Sequence, residues 1–195
     1  MNAESSGALE RLTASSLEKC LAKLTKVSAG TWRIIDIKAC CETPEDALRR
    51  HNFKSPAAAV YSYIKGDFPF ASMMLFDPDD IECISRCFLG YYFSGAPGLT
   101  RSEELMLLEL GNIILNSIVG AVSDGFNKFL TPSIPQCIQG DSRRIVKELG
   151  AIMDLKQSFR IITFILAIQC DNRVSRSEVF GLIPQKLAED LEQKF

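Results

Sequence analysis

Apolar positions along the chain follow two rhythms, and each change of rhythm marks an element. Leu9, Leu12, Leu17, Leu21 and Leu24 recur at helical spacing, which predicts a helix over 8–26 capped by Ser5 or Ser6. TWRIIDIKACC then reads as a strand rich in Ile and Trp. TPEDALRRHNF carries a threonine cap, Pro44 in the first turn and early acids, the features of a short helix. AAAVYSYIKGDFPFASMMLF predicts two strands joined at Gly66 and Asp67. Pro69 cannot donate to a ladder, so it belongs at an edge or a strand start. DPDDIECISRCFLGYYF predicts a helix capped by Asp77.

SGAPGLT is the one Gly/Pro/Ser-rich break in the chain, and it separates two halves. Beyond it, the order of elements repeats. A long helix over 101–129 precedes a short strand near 134–138, and Asp141 or Ser142 caps the short helix RRIVKELGAI. FRIITFILAIQC and RVSRSEVFGLI pair around a turn at Asp171 and Asn172, and PQKLAEDLEQKF closes as a helix. Each half reads α-β-α-β-β-α, over 8–93 and 101–195, although few residues are identical between them. The expected fold is therefore α+β: a single domain over 1–195, with pseudo-duplicated halves sharing one antiparallel sheet covered by helices.

One stretch breaks the simple pattern. ELMLLELGNIILNSIVGAV is oily almost all round, yet it contains Glu109, Asn112 and Asn116. An α-helix turns 100° per residue, so with Glu109 at zero Asn112 falls at about 300° and Asn116 at about 340°. Ser102, Ser123 and Asn127 fall in the same arc of roughly 80°. A helix apolar over the rest of its surface is a buried helix. This one keeps a single narrow polar strip, with Glu109 and Asn112 one turn apart on it.

Composition removes many alternatives. The 195 residues carry a formal charge of −2 with 47% hydrophobic and 24% charged residues, the make-up of a globular protein without a basic surplus for nucleic acid or anionic lipid. MNAESSGALE lacks the charged and apolar regions of a signal peptide, and the longest oily run, 161–168, is too short to cross a bilayer. Seven cysteines without a secretion signal point to reduced thiols in the cytoplasm. His51 is the one histidine, which removes His-rich zinc sites, and its charged short helix favours a surface role over a triad. Cys83 and Cys87 lie four apart with no CxxC pair anywhere, so they read as core thiols, and no metal site is expected. Asp77, Asp79 and Asp80 read as a helix N-terminus rather than an ion site. Gly90, Gly95 and Gly98 lack the strand, spacing and lysine of a phosphate loop.

Glu109-x-x-Asn112 followed by twenty-two residues and then Pro135 resembles the signature of the CheC/CheX/FliY family. Members of that family remove phosphoryl groups from receiver domains in bacterial chemotaxis. The text ELGNIILNSIVGAV looks like the family's active helix, including Gly111 immediately before the Asn, and the duplicated pattern looks like its fold. Two departures stand out. The family usually carries Asp or Ser four residues before the Glu, where this chain has Leu105. CheC-type members often repeat the motif on the first helix, but no Asn occurs between Asn2 and Asn52. One site per chain follows, as in CheX.

The resemblance implies a phosphatase for the aspartyl phosphate of a CheY-like receiver. Phosphoryl transfer is mainly positioning and charge stabilisation. A carboxamide suits the work because it donates, accepts and stays neutral. Asn112 would orient the attacking water, and Glu109 would pair with the receiver's active-site lysine. The receiver would supply Mg²⁺, so the chain needs no cofactor of its own. Asn116 and Ser102 would border the docking surface, although an exposed amide with no further role is the simpler reading of Asn116. Pro135 reads as shaping the helix-to-strand connection. Two other readings stand beside this one. The first is a non-catalytic adaptor that binds a receiver or a CheD-type deamidase, which Leu105 and the silent first helix favour. The second is a structural protein of a flagellar switch. Each leaves room for a homodimer, and none involves nucleic acid or membrane.

Overall fold

The computed structural model describes residues 7–51, 57–91 and 98–194. In chain order these form α1 (Ala8–Val27), β1 (Thr31–Glu42), α2 (Pro44–Arg49), β2 (Ala57–Ile64), β3 (Phe70–Phe76), α3 (Ile81–Leu89), α4 (Arg101–Phe126), β4 (Gln136–Gly140), α5 (Ser142–Ile152), β5 (Phe159–Cys170), β6 (Arg173–Pro184) and α6 (Gln185–Glu192). Their order is the one the two halves predict. All six strands join one sheet in the order β1-β5-β6-β3-β2-β4, and every pairing is antiparallel. Exchanging the two halves leaves that order unchanged. The hairpins β2–β3 and β5–β6 meet through β3 and β6, while each half sends its first strand across to the other half's hairpin.

Helices cover both faces of the sheet. On one, α1, α3, α4 and α6 pack against Val60, Met74, Phe164, Leu166 and Val179. On the other, Leu48 of α2 and Ile145 and Leu149 of α5 pack with Tyr61, Met73, Phe159 and Phe180. Strands β2 and β3 are buried along nearly their whole length, so their sequences run apolar on successive residues rather than alternating.

Local chemistry sets the ends of the elements. Thr43 caps α2 by accepting from the Asp46 N–H, and Asp77 accepts from Asp79 N ahead of a 3₁₀ turn at Pro78–Asp80. The acids at 77–80 therefore act in a helix start, and Asp80 Oδ2 also accepts from Arg176 N at 3.2 Å. Asp141, not Ser142, caps α5 through the Arg144 N–H. Pro69 directly precedes β3, where its missing N–H breaks no ladder bond. Asp171 turns between β5 and β6 with φ +52°.

Several expectations shift. Gly7 occupies the N-cap of α1, and Ser5 and Ser6 lie outside the described residues, as do 92–97 of the break between the halves. Helix α4 ends at Phe126 rather than 129, because Asn127 adopts the left-handed conformation that closes a helix. The following strand begins two residues late, at Gln136. Ser133 first binds the end of β2, donating its N–H to Tyr63 O at 2.9 Å and accepting from Tyr63 N at 3.2 Å. His51 lies just past α2 and is partly buried rather than on the surface, with Nδ1 3.2 Å from Glu178 Oε1 of β6. Glu10 of α1 is only 3% exposed, and the Arg160 guanidinium of β5 donates to its Oε1 at 2.6 and 2.8 Å. That pair ties the first helix to a strand of the second half.

Candidate functional site

Helix α4 owes its position to three local features. Thr100 and Glu103 form a reciprocal capping box, with Thr100 Oγ1 accepting from Glu103 N at 3.2 Å and Glu103 Oε2 accepting from Thr100 N at 2.8 Å. Gly111 lets the helix sit directly on β2: a Cβ there would stand 2.5 Å from Val60 Cγ1. Helix α1 is held alongside, with Ser16 Oγ donating to Ser117 O at 2.8 Å and Cys20 Sγ to Ile113 O at 3.6 Å. The lower side of α4 contributes Met106, Leu107, Leu110, Ile114, Leu115, Ile118 and Val122 to the core.

The opposite side carries the polar strip. Ser102, Leu105, Glu109 and Asn116 are exposed, and Asn112 is half-buried at its edge. The acids on this helix differ in their engagement. Glu103 serves the cap and Glu104 pairs with Arg101 at 2.9 Å. Glu109 forms no hydrogen bond or ion pair among the described residues. Its carboxylate is open to an incoming cation. One turn further on, Asn116 Nδ2 donates to Asn112 Oδ1 at 3.0 Å. Leu105, 51% exposed, stands one turn before Glu109 as an apolar neighbour of the strip. Ser102 lies two turns before Glu109, about 10 Å along the axis.

Pro135 is partly buried immediately ahead of β4. It belongs to the connection rather than to the strip, since Gln136 beside it pairs with Tyr61 and accepts from the Tyr61 hydroxyl at 2.6 Å. Cys137, next on β4, has its thiol pushed up to about 11 by burial and by nearby Glu104, so it stays a neutral thiol at ordinary pH. Cys83 and Cys87 are buried in the core, and burial also pushes the Cys87 thiol up. An open cleft lined by Ile64, Phe68, Phe129 and Leu130 lies at the far end of α4 and contains none of the strip residues.

By length and composition alone α4 could cross a membrane, contrary to the expectation from the oily runs. Its most apolar window is 56% buried inside the molecule, where the sheet and α1 cover it.

Legible in the sequence were the strip and the proximity of Glu109 and Asn112. The contact between Asn112 and Asn116 was missed, although their i, i+4 spacing was the available signal.

No family model and no curated protein matches the sequence. Solved structures do. FliY of Thermotoga maritima superposes with a TM-score of 0.67 at 12% identity, covering 97% of this chain and 92% of that one. The FliM middle domain of H. pylori gives 0.64 at 15% identity, covering 98% and 100%. CheX of Desulfovibrio desulfuricans gives 0.53 at 10% identity, covering 89% and 98%. The chain thus has the fold shared by these FliY, FliM and CheX structures, the CheC-like fold that the duplicated halves implied.

Proposed function

We propose that the chain is a phosphatase for the aspartyl phosphate of a CheY-like receiver, acting in the cytoplasm as one domain over 1–195. The observation that carries the proposal is an unengaged Glu109 carboxylate one turn from the Asn112 carboxamide, on a helix seated against the sheet by Gly111. Side chains that must act inside another protein's pocket need to project from a support that does not yield.

The substrate is an acyl phosphate already activated toward water. In the reaction, a water oxygen forms a bond to phosphorus while the phosphorus–oxygen bond to the receiver's aspartate breaks. The products are inorganic phosphate and a free carboxylate, and the water's proton leaves with phosphate or to solvent. Asn112 accepts a hydrogen bond from that water and aims its lone pair at phosphorus. Glu109 forms a charge-assisted pair with the receiver's lysine and sets the docking register. The receiver's own Mg²⁺ would supply the charge neutralisation of the phosphoryl oxygens, which no residue of this chain is asked to provide.

A second reading has its own support. Leu105 places an apolar side chain where the family motif carries Asp or Ser, and the FliM middle domain, also solved in a FliG–FliM complex, superposes more fully than CheX does. In that reading the same ridge binds a receiver, a CheD-type deamidase or a second copy of the chain without turnover.

The two readings separate in one assay, loss of phosphate from a phosphorylated receiver. The wild-type protein is expected to accelerate it, and Asn112→Ala to slow the catalysed rate by about a hundredfold, the scale of a lost positioning group. Glu109→Ala is expected to raise KM, since a docking contact acts before the chemistry. Equal decay with and without wild-type protein would leave only the binding reading.

A further inference from the structure

We infer that the cleft at the far end of α4 is a second docking site, which takes an extended acidic segment of a partner protein and seats one apolar side chain from it. The cleft holds about 440 Å³ between the β2–β3 turn and the chain that leaves α4 at 128–131. It shares no residue with the Glu109 ridge, so the inference stands independently of the phosphatase reading.

The floor is apolar and fixed. Phe68 and Leu130 are half-buried against the main core, and the Phe68 ring lies on the buried Phe126 ring with centroids 4.6 Å apart. A floor tied to the core in this way is already shaped for a ligand. Phe129 stands beside it, 94% exposed. A lone exposed apolar side chain is ordinary on a protein surface. This one lines a concave apolar floor, where it would cover an incoming side chain.

Two further features choose the occupant. The first is spare main chain on both walls: among the described residues, 65–68 and 129–131 make no backbone–backbone hydrogen bond. An extended peptide brings matching N–H and C=O groups, whereas a helix has spent its own internally. The second is a positive rim. Lys65 and Lys128 make no ion pair among the described residues, and Asp67 is the one acid lining the cleft with them. The Lys65 ammonium sits 5.1 Å from the Tyr63 ring centroid, which restrains it. In a chain of formal charge −2 the rim is a local excess of cation around an oily floor. Its complement is an acidic segment with an apolar residue in its middle.

The test titrates the ¹⁵N-labelled protein with a pool of blocked acidic peptides that carry Leu, Ile, Phe or Met at the centre. Saturable shifts at Lys65, Phe68 and 128–131 are expected, and a lysine-flanked pool with the same centres is expected to give none. Lys65→Gln combined with Lys128→Gln is expected to weaken binding about three- to tenfold, the scale of two exposed charge pairs. High salt is expected to erase that difference. Asp67→Asn removes the opposing charge and is expected to tighten binding about two- to threefold. Phe129→Ser is expected to weaken it about tenfold or more, the scale of one lost aromatic contact. All four positions are exposed, so the fold is expected to persist, which unchanged shifts outside the cleft would verify.

Absence of shifts at the cleft with about 1 mM acidic peptide would overturn the inference. So would equal binding of the lysine-flanked pool, or affinities untouched by the lysine and Phe129 changes. Cleft shifts that grow with protein concentration alone and vanish in Phe129→Ser would also overturn it, since the occupant would then be a second copy of this chain.

Discussion

Gly111 and Asn112 are adjacent, and their roles depend on each other. The glycine faces β2 so closely that a methyl group would meet Val60 Cγ1 at 2.5 Å and Val60 Cβ at 2.9 Å. Val60 belongs to a strand paired on both sides, with β3 and β4, so it has little room to retreat. Gly111→Ala is expected to destabilise the fold by about 1–3 kcal/mol, as overpacking of a filled core does, despite alanine's better helix propensity. Urea denaturation measures this; a stabilised variant would mean that α4 does not rest on β2 through this residue. At this scale the sequence was only partly readable. The spacing of Glu109 and Asn112 on one side of a helix follows from periodicity, and Gly111 was noticed as part of a motif. Its physical reason, a close approach to Val60, links residues fifty-one positions apart, and no local pattern encodes that. The Glu10–Arg160 pair was unreadable for the same reason.

Helix α4 illustrates what periodicity settles and what it leaves open. Its start at residue 101 and its buried and exposed sides were legible, while the capping box of Thr100 and Glu103 that fixes the start was missed. Its end was misjudged by three residues because Asn127 takes a left-handed conformation that propensity only weakly favours. Leu105 stands where the wheel puts it. Four residues before Glu109 it falls at about 320°, inside the polar arc, and in the fold it is 51% exposed on the same side as Glu109. Leu105→Asp is therefore expected to change stability by no more than about 0.5 kcal/mol, as surface substitutions do. In the phosphate-loss assay it is expected to raise the rate, because it restores a carboxylate where the resembled family carries Asp or Ser. An unchanged rate with unchanged stability would place Leu105 outside the surface that meets the receiver.

Across the whole molecule, the legible feature was the repeated order of elements, and the hidden one was how the two halves share strands. Hydrophobic rhythm marks where a strand lies but not its neighbour, and β1 pairs with β5, whose partner residues lie more than a hundred positions away. That exchange of first strands places α1 and α4 side by side on one face of the sheet, so the ridge is supported by both halves at once. With α1 lacking any asparagine, the proposal places one such ridge on each chain. The most direct measurement is an NMR titration of the ¹⁵N-labelled protein with a receiver held in its phosphorylated form by beryllofluoride. Shift changes centred on Leu105, Glu109, Asn112 and Asn116, saturating at one receiver per chain, are the predicted result. Changes confined to the α2 and α5 face, or no binding at all, would contradict the assignment of this ridge as the site that meets a receiver.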